Sequence, residues 1–483
     1  MSSLVFIHPP MPLDVLYGRL SKAGSELPPQ GLCLLASVAR KKGINVKIID
    51  CIPLEKTQKD VIDDLLKDKP DFIGFSVYTI FADVVGQMAT AISEAFVNDA
   101  VKPIIIVGGA HITFMGKEFM EKYPSVDFGV FGEGEETLME LIDCISTGRN
   151  TKIRGILCRE NSTVSKMEPR PFIENLDVLP LPAWDLLPSI DKFYIPAGDS
   201  LKRFPSTGIV TSRGCPGKCY FCNPRGLGRE IRRNSANYIN CMIKDLIERY
   251  RIRDIYIQDD MFITDRENVV ELCKILIRDN VDLTWSCHGR VDFVDTELLK
   301  LMKRAGCWQI SFGFESGDQN ILENINKNTT VEKNYQAVQL CKEAGLDVKG
   351  LFMIGNFGET RESIQKTLKF IKEAYMTDFH MTFFTPMPGT PSWKIWKKYG
   401  KFNQSNKVSL TCKPGFIPIG FTEEELVKYQ KMCYRAFYLR PFVIWGYMLK
   451  LKEWKQTKKI FLSLLAFINY AVVPKVFKKT DSA

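Results

Sequence analysis

The 483-residue sequence lacks the marks of several common destinations. It opens MSSLVFIHPP, with no basic stretch ahead of a long apolar run, so a secretory signal is not expected. Without secretion, its 14 cysteines are read as thiols of a reducing cytoplasm, not as a disulfide framework. No GxGxxG follows the first apolar stretch and no GxxxxGK[ST] occurs anywhere, which argues against ordinary dinucleotide or ATP binding. No internal repeat or low-complexity tract stands out. Histidine is scarce: His8, His111, His288 and His380 are all there are. The net charge of +9 is unevenly placed, because residues 441–483 hold eight Lys and no Arg against Glu453 and Asp481. The remainder is nearly neutral, so a nucleic-acid groove spread over the protein is not expected.

What is present is an ordinary globular composition, 45% hydrophobic and 25% charged, long enough for two or three domains. In the first third, apolar runs (LVFI, VKIIDC, FIGFSVY, IIIVGG, FGVFGEGE) alternate with helical stretches. That alternation predicts a doubly wound, Rossmann-like α/β domain over residues 1–150, with a parallel sheet covered on both faces. Ligands in such folds sit beyond the carboxyl ends of the strands. The candidates there are Ser76 and Thr79, then Gly108 and Gly109, then Gly132 and Glu133. The glycines either let backbone approach a ligand or simply make tight turns; both readings stand. Residues 151–200 are Pro-rich and read as a linker. Residues 201–395 carry six further strand–helix pairs, which predict a partial TIM-type (β/α)6 barrel with its site at the C-terminal strand ends. Residues 396–483 read as a helical C-terminal region.

The stretch RGCPGKCYFCNP crowds Cys215, Cys219 and Cys222 just after the first barrel strand. Structural zinc usually requires a fourth Cys or His, and none stands nearby. A redox Cys-x-x-Cys leaves Cys215 unexplained. An iron–sulfur cubane accepts thiolates at this looped spacing, and three ligands leave one iron open to a small molecule.

CxxxCxxC with an aromatic, Phe221, before the last cysteine resembles the radical S-adenosylmethionine (SAM) enzymes. The resemblance implies a [4Fe–4S] cluster on the three cysteines, with SAM chelating the open iron. Reductive cleavage then releases a 5′-deoxyadenosyl radical, which takes hydrogen from an unactivated carbon. It also implies SAM contacts from Asp259 and Asp260 after the second strand, Arg290 after the third, and Glu315, Ser316 and Gly317 after the fourth. For each carboxylate the plainer reading is a helix N-cap. GNFGET (355–360) resembles the family's G-x-P-G-E turn, with Phe357 in place of proline, which puts the turn's rigidity in question.

A Rossmann-like domain before this barrel resembles the cobalamin-binding subclass, which includes C- and P-methylases, hopanoid-modifying enzymes and the anaerobic magnesium-protoporphyrin ester cyclase. Cobalamin is then placed between the two domains. The sequence lacks DxHxxG, so no His of that motif ligates cobalt, and His111 reads as a pocket or capping residue. The resemblance implies radical C-methylation of a small-molecule or lipid-like substrate, with a flavodoxin- or ferredoxin-type electron donor. Alternatives are cyclisation or rearrangement without methyl transfer, a methylthiotransferase, or a non-catalytic sensor. A methylthiotransferase would need Cys33, Cys51 and Cys144 to hold a second cluster, and none of them reads as a strand-end residue.

In the tail, residues 460–474 carry no charge between Lys459 and Lys475. That is short of the ~20 residues that span a bilayer. Lysines beside Trp and Tyr suit a helix lying in the membrane interface, peripheral to a cytoplasmic protein. A helical cap on the barrel with solvated lysines is the alternative.

Overall fold

Apolar runs rich in Ile, Val and Phe form a first sheet. Its parallel strands are β1 (Ser3–His8), β2 (Asn45–Asp50), β3 (Phe72–Ser76), β4 (Ile104–Gly108) and β5 (Phe128–Val130). The computed structural model describes residues 2–11, 17–99, 101–160, 163–197, 200–223, 226–403, 411–449 and 454–472. Along β1, Leu4 and Phe6 enter one core while Val5 and Ile7 enter another. The period-2 alternation of a strand therefore buries both faces, as the near-continuous apolar runs require. The strand order β2-β1-β3-β4-β5 reverses direction at β1, which opens a crevice at the carboxyl ends of β1 and β3.

Two further strands extend this sheet: β6 (Ile156–Glu160) pairs antiparallel with β5, and β7 (Thr163–Lys166) pairs antiparallel with β6. They lie in the stretch read from sequence as a linker. A hairpin of four- and five-residue strands carries too little periodicity to be seen in a polar segment. The rest of that stretch is pinned down: Trp184 is fully buried, and the Ala183 N–H donates to Cys33 O at 3.0 Å.

The second sheet is wholly parallel: β8 (Ser206–Ile209), β11 (Asp254–Ile257), β12 (Thr284–Gly289), β13 (Cys307–Glu315), β14 (Asp347–Ile354) and β15 (Asp378–Phe383), paired in that order. A helix follows each crossover, as in the expected partial barrel. Between β8 and β11 lies a small antiparallel ribbon, β9 (Ser212–Arg213) with β10 (Arg232–Arg233). One apolar core runs from Leu4 and Phe6 of the first sheet into Ile209, Phe312 and Phe352 of the second. The GNFGET turn is rigid without proline. Glu359 accepts the N–H groups of Gly355 and Asn356 at 3.2 and 3.3 Å, and Phe357 stacks on Tyr399 with 4.4 Å between ring centroids.

The C-terminal region is helical, as expected, but begins with a ribbon that the sequence reading did not foresee, β16 (Gly400–Phe402) with β17 (Phe416–Pro418). A Cβ on Gly400 would collide with Ile417 O at 2.2 Å, so the ribbon closes only around glycine. Helices Glu423–Tyr438, Pro441–Leu449 and Trp454–Phe467 follow. Among the described residues, no helix is long and apolar enough to cross a membrane.

Candidate active site

The carboxyl ends of both sheets face one cavity of about 450 Å³. From the first sheet it is lined by Ser76, Tyr78, Gly108, Gly109, Gly132 and Glu133; from the second, by Thr211 to Gly214, Cys222 and Asp260. Gly109 has φ +97°, and a Cβ there would stand 3.0 Å from Val77 N and O, so only glycine fits the turn. Gly132 has φ +76°, and its absent Cβ would enter open space. A methyl group at that position would fill part of the cradle, which is the fit a large planar cofactor requires. Thr79 does not line the cavity: its hydroxyl meets His111 Nδ1 at 3.2 Å, and Tyr78 takes the place at the wall. His111 likewise stands outside the lining.

Glu133 borders the cavity, but its carboxylate is taken up by neighbours of its own. It accepts from Arg213 at 2.7 Å, from Arg232 at 2.8 Å and from the Ile173 N–H at 2.7 Å. Glu135 takes the other Arg213 nitrogen at 2.5 Å. All four side chains are buried or nearly so, and they join the first sheet to the ribbon beside the cysteine loop.

Within that loop, Cys215 Sγ accepts from the Gly217 N–H at 3.4 Å. A Cβ on Gly217 would lie 3.2 Å from Cys215 Sγ and 3.9 Å from Cys219 Sγ, so both sulfurs turn inside the same bend. Burial pushes the Cys222 thiol up to about 12, with Asp260 and the two other cysteines adding to the shift; burial also raises Cys219. Cys222 thus feels both Cys219 and Cys215, and Cys219 feels Cys215. Among the described residues, no three His, Cys, Asp or Glu side chains converge tightly enough to hold one metal ion. The trio does not fit single-ion zinc, whereas a cubane asks each thiolate for an iron of its own.

Around the loop stand charges that the sequence reading named and one that it missed. Glu315 ends β13 at φ +63°, a strained conformation for a residue with a side chain. Its carboxylate accepts from Lys327 at 2.7 Å, and Lys327 Nζ lies 5.8 Å from the Phe221 ring centre. Burial works to lower Lys327, but Glu315 and Cys219 outweigh it and hold the ammonium above its ordinary value. Lys327 belongs to a polar loop, INKNTT, that offers no motif. The loop is fastened to the cysteines by Tyr220 N–H to Ile325 O at 2.9 Å and Asn326 Nδ2 to Lys218 O at 2.9 Å. Arg290 donates to Asp292 at 3.0 Å and to Lys327 O at 3.2 Å.

Other named residues are committed to the fold. Asp259 is buried and accepts from Thr211 N–H at 2.5 Å and from its hydroxyl at 2.6 Å, anchoring the chain just before the cysteines. Ser316 Oγ bonds Thr367 Oγ1 at 3.0 Å and accepts from the Asp318 N–H at 3.1 Å. A Cβ on Gly317 would meet Thr367 Cα at 2.7 Å, so that glycine admits the helix Arg361–Glu373. By contrast, Asp260 borders the cavity with no hydrogen bond or ion pair among the described residues, and burial raises its pKa.

Burial raises Asp259 to about 6, against the bonds from Thr211 and Ser212, and it raises Asp254 to about 6 as well. A carboxyl whose folded pKa is raised keeps its proton in the native state while the unfolded chain has lost it. Stability is then expected to fall as pH rises from about 4 to about 6. Asp259→Asn is expected to cost about 1–3 kcal/mol through mismatched donors at Thr211. It also flattens that slope, which denaturation midpoints across the pH range will read.

Cys33, Cys51 and Cys144 are all buried and on separate elements. Cys51 directly follows β2, a strand-end position that the sequence reading did not assign to it.

Comparison with known proteins agrees with this architecture. The radical SAM superfamily model matches residues 209–371, and the B12 binding domain model matches residues 18–142. An uncharacterized methyltransferase of Pyrococcus horikoshii is 33% identical over 437 residues, covering 87% of this chain and 90% of its own. The anaerobic magnesium-protoporphyrin IX monomethyl ester cyclase of Rubrivivax gelatinosus is 27% identical, covering 90% and 77%. In fold, the chain is similar to a cobalamin-dependent S-adenosylmethionine radical enzyme, OxsB, with TM-score 0.73 at 19% identity, over 97% of this chain and 72% of that one. With a B12 domain on the first sheet, a radical SAM domain on the second and a cavity between them, the chain belongs to the cobalamin-binding radical SAM enzymes, whose cofactors are a [4Fe–4S] cluster, SAM and cobalamin.

Proposed function

We propose that the protein is a radical C-methylase of a hydrophobic, lipid-like substrate. In this reading residues 1–150 carry cobalamin, residues 151–200 link while adding two strands to the first sheet, residues 201–395 carry the cluster and SAM, and residues 396–483 are a helical C-terminal region. The observation that carries it is the shared cavity. Glycine-floored strand ends of the first sheet and Cys222 with Asp260 of the second border the same space. The relative at 33% identity bears a methyltransferase name, which favours methyl transfer.

When bound, the cofactors supply reductive cleavage of SAM to a hydrogen-abstracting radical and a carrier for the methyl group. Cys215, Cys219 and Cys222 would hold the cluster by three thiolates and leave room for SAM to complete it. Asp260, unpaired at the cavity edge, is placed to accept from the SAM amino group. Glu315, held by Lys327, and Arg290 stand beside the cysteine loop and would supply the charged contacts to SAM there. Ser76, Tyr78, Gly108, Gly109 and Gly132 form the floor for cobalamin, and Glu133 acts behind it by clamping Arg213 and Arg232. Asp259, Ser316 and Gly317 position the loops that carry these groups. A cavity walled mainly by apolar side chains excludes water from a radical that would otherwise be quenched. An external flavodoxin- or ferredoxin-type protein supplies the electron.

Anaerobic reconstitution with iron, sulfide, cobalamin, SAM and dithionite, assayed with a lipid extract as the source of methyl acceptor, tests this reading. The expected products are 5′-deoxyadenosine and S-adenosylhomocysteine in equal amounts, with a substrate heavier by one methylene. The cyclase relative, at 27% identity, favours a second reading. 5′-Deoxyadenosine alone, with an unmethylated product, supports cyclisation or rearrangement and sinks the first.

A further inference from the structure

We infer that the outward faces of two C-terminal helices form a docking surface for an anionic lipid bilayer, a property separate from the reaction class proposed above. On helix Pro441–Leu449, Phe442, Trp445 and Met448 are exposed, Trp445 to 61%. On Trp454–Phe467 and the turn after it, Phe461, Leu464, Leu465 and Ile468 are exposed. Their spacing of i, i+3, i+4 and i+7 is one unbroken helical stripe. The opposite sides of both helices are fastened down. Val443 and Ala466 are buried, and Tyr447 and Phe467 both meet the Tyr438 ring, at 6.2 and 5.2 Å between centroids. Tyr447 also donates to Asp378 of β15 at 2.6 Å. Both helices are thus held at Tyr438, with their large apolar residues left exposed, and patches of that kind mark interaction surfaces.

Charge selects the occupant. Lys450, Lys452, Lys455, Lys458 and Lys459 stand in sequence between the two stripes, with Lys475, Lys478 and Lys479 beyond them. Only Glu453 and Asp481 oppose them in that region, and Lys458 is exposed. Apolar stripes carrying tryptophan, flanked in sequence by clustered lysine, complement an anionic headgroup layer above an acyl boundary. A second copy of this chain would set lysine against lysine. Helices of 9 and 14 residues are too short to cross, so they lie in the plane of the interface.

The test is co-sedimentation of the full-length protein with vesicles of phosphatidylcholine alone, or of equal parts phosphatidylcholine and phosphatidylglycerol. Binding to the anionic vesicles is expected, at least about tenfold stronger than to neutral ones and weakened by salt. A variant combining Trp445→Ser, Phe461→Ser and Leu464→Ser is expected to lose about tenfold or more of that binding. It should keep its denaturation midpoint and its 5′-deoxyadenosine yield in vesicle-free assays. No binding to anionic vesicles overturns the proposal. So does binding that the triple variant leaves unchanged, or a solution dimer that the triple variant abolishes. Product mass from the vesicle-free reaction is read independently, so failure here leaves the reaction class untouched.

Discussion

Cys222→Ala is expected to reduce 5′-deoxyadenosine formation to background while leaving the fold in place. The side chain borders the cavity and no described residue hydrogen-bonds its sulfur, so truncation removes little packing. By surface area Cys222 is exposed into the cavity even though protein around the loop desolvates its sulfur, and substitutions at such accessible sites usually change stability by no more than about 0.5 kcal/mol. The chemistry is different: it belongs to the cofactor, and the protein's share is to hold it. With one of three thiolates gone, one more iron lacks a ligand. Iron content after anaerobic reconstitution should drop together with SAM cleavage, at an unchanged denaturation midpoint. A Cys222→Ala protein that retains full iron and full SAM cleavage would falsify the assignment of the cluster to this loop.

Arg213→Met is expected to be the most destabilising single change outside the apolar core. Arg213 bridges Glu133 at 2.7 Å and Glu135 at 2.5 Å, and the three side chains are only 13%, 5% and 7% exposed. Removing the cation leaves two buried carboxylates with, among the described residues, Arg232 as their one remaining cationic contact, on Glu133. Breaking a buried pair from one side costs about 3–5 kcal/mol, because the stranded charge keeps its desolvation penalty. The loss should fall on the contact between the sheets, so cobalamin affinity, followed by absorbance titration, should weaken along with the denaturation midpoint. Adding Glu133→Gln and Glu135→Gln to Arg213→Met should recover part of the stability, since it removes the unpaired charges. If the single variant melts like the parent, the four-residue clamp contributes nothing of consequence.

The six barrel strands and the five parallel strands of the first sheet were legible because each is a local apolar run bounded by turn residues. The hairpin at 156–166 and the ribbon at 400–402 and 416–418 were not, since strands of two to five residues leave almost no periodic trace. The cysteine loop was legible for another reason: its chemistry depends on spacing within eight residues, which sequence displays directly.

The roles of single residues at the strand ends divided differently. Asp259 and Asp260 are neighbours in sequence, yet one is buried under Thr211 and the other faces the cavity. Thr79 and Tyr78 exchanged places for the same reason, because adjacent side chains leave a strand end in different directions. Gly317 answers to a helix 50 residues on, through Thr367. Glu133, read as a cofactor contact, is taken by arginines 80 and 99 residues away.

By itself, then, the sequence determined the two α/β halves, the three thiols and the class of cofactor they hold, all of which rest on short-range pattern. Only the tertiary structure decided that Lys327 stands against Glu315 and Phe221, that Asp259 serves the fold and Asp260 the cavity, and that the clamp of Glu133 and Glu135 on Arg213 and Arg232 joins the halves. Those facts depend on which distant segments share a buried, low-dielectric space. There a charge must find a partner wherever the fold brings one, and residue order does not encode that meeting.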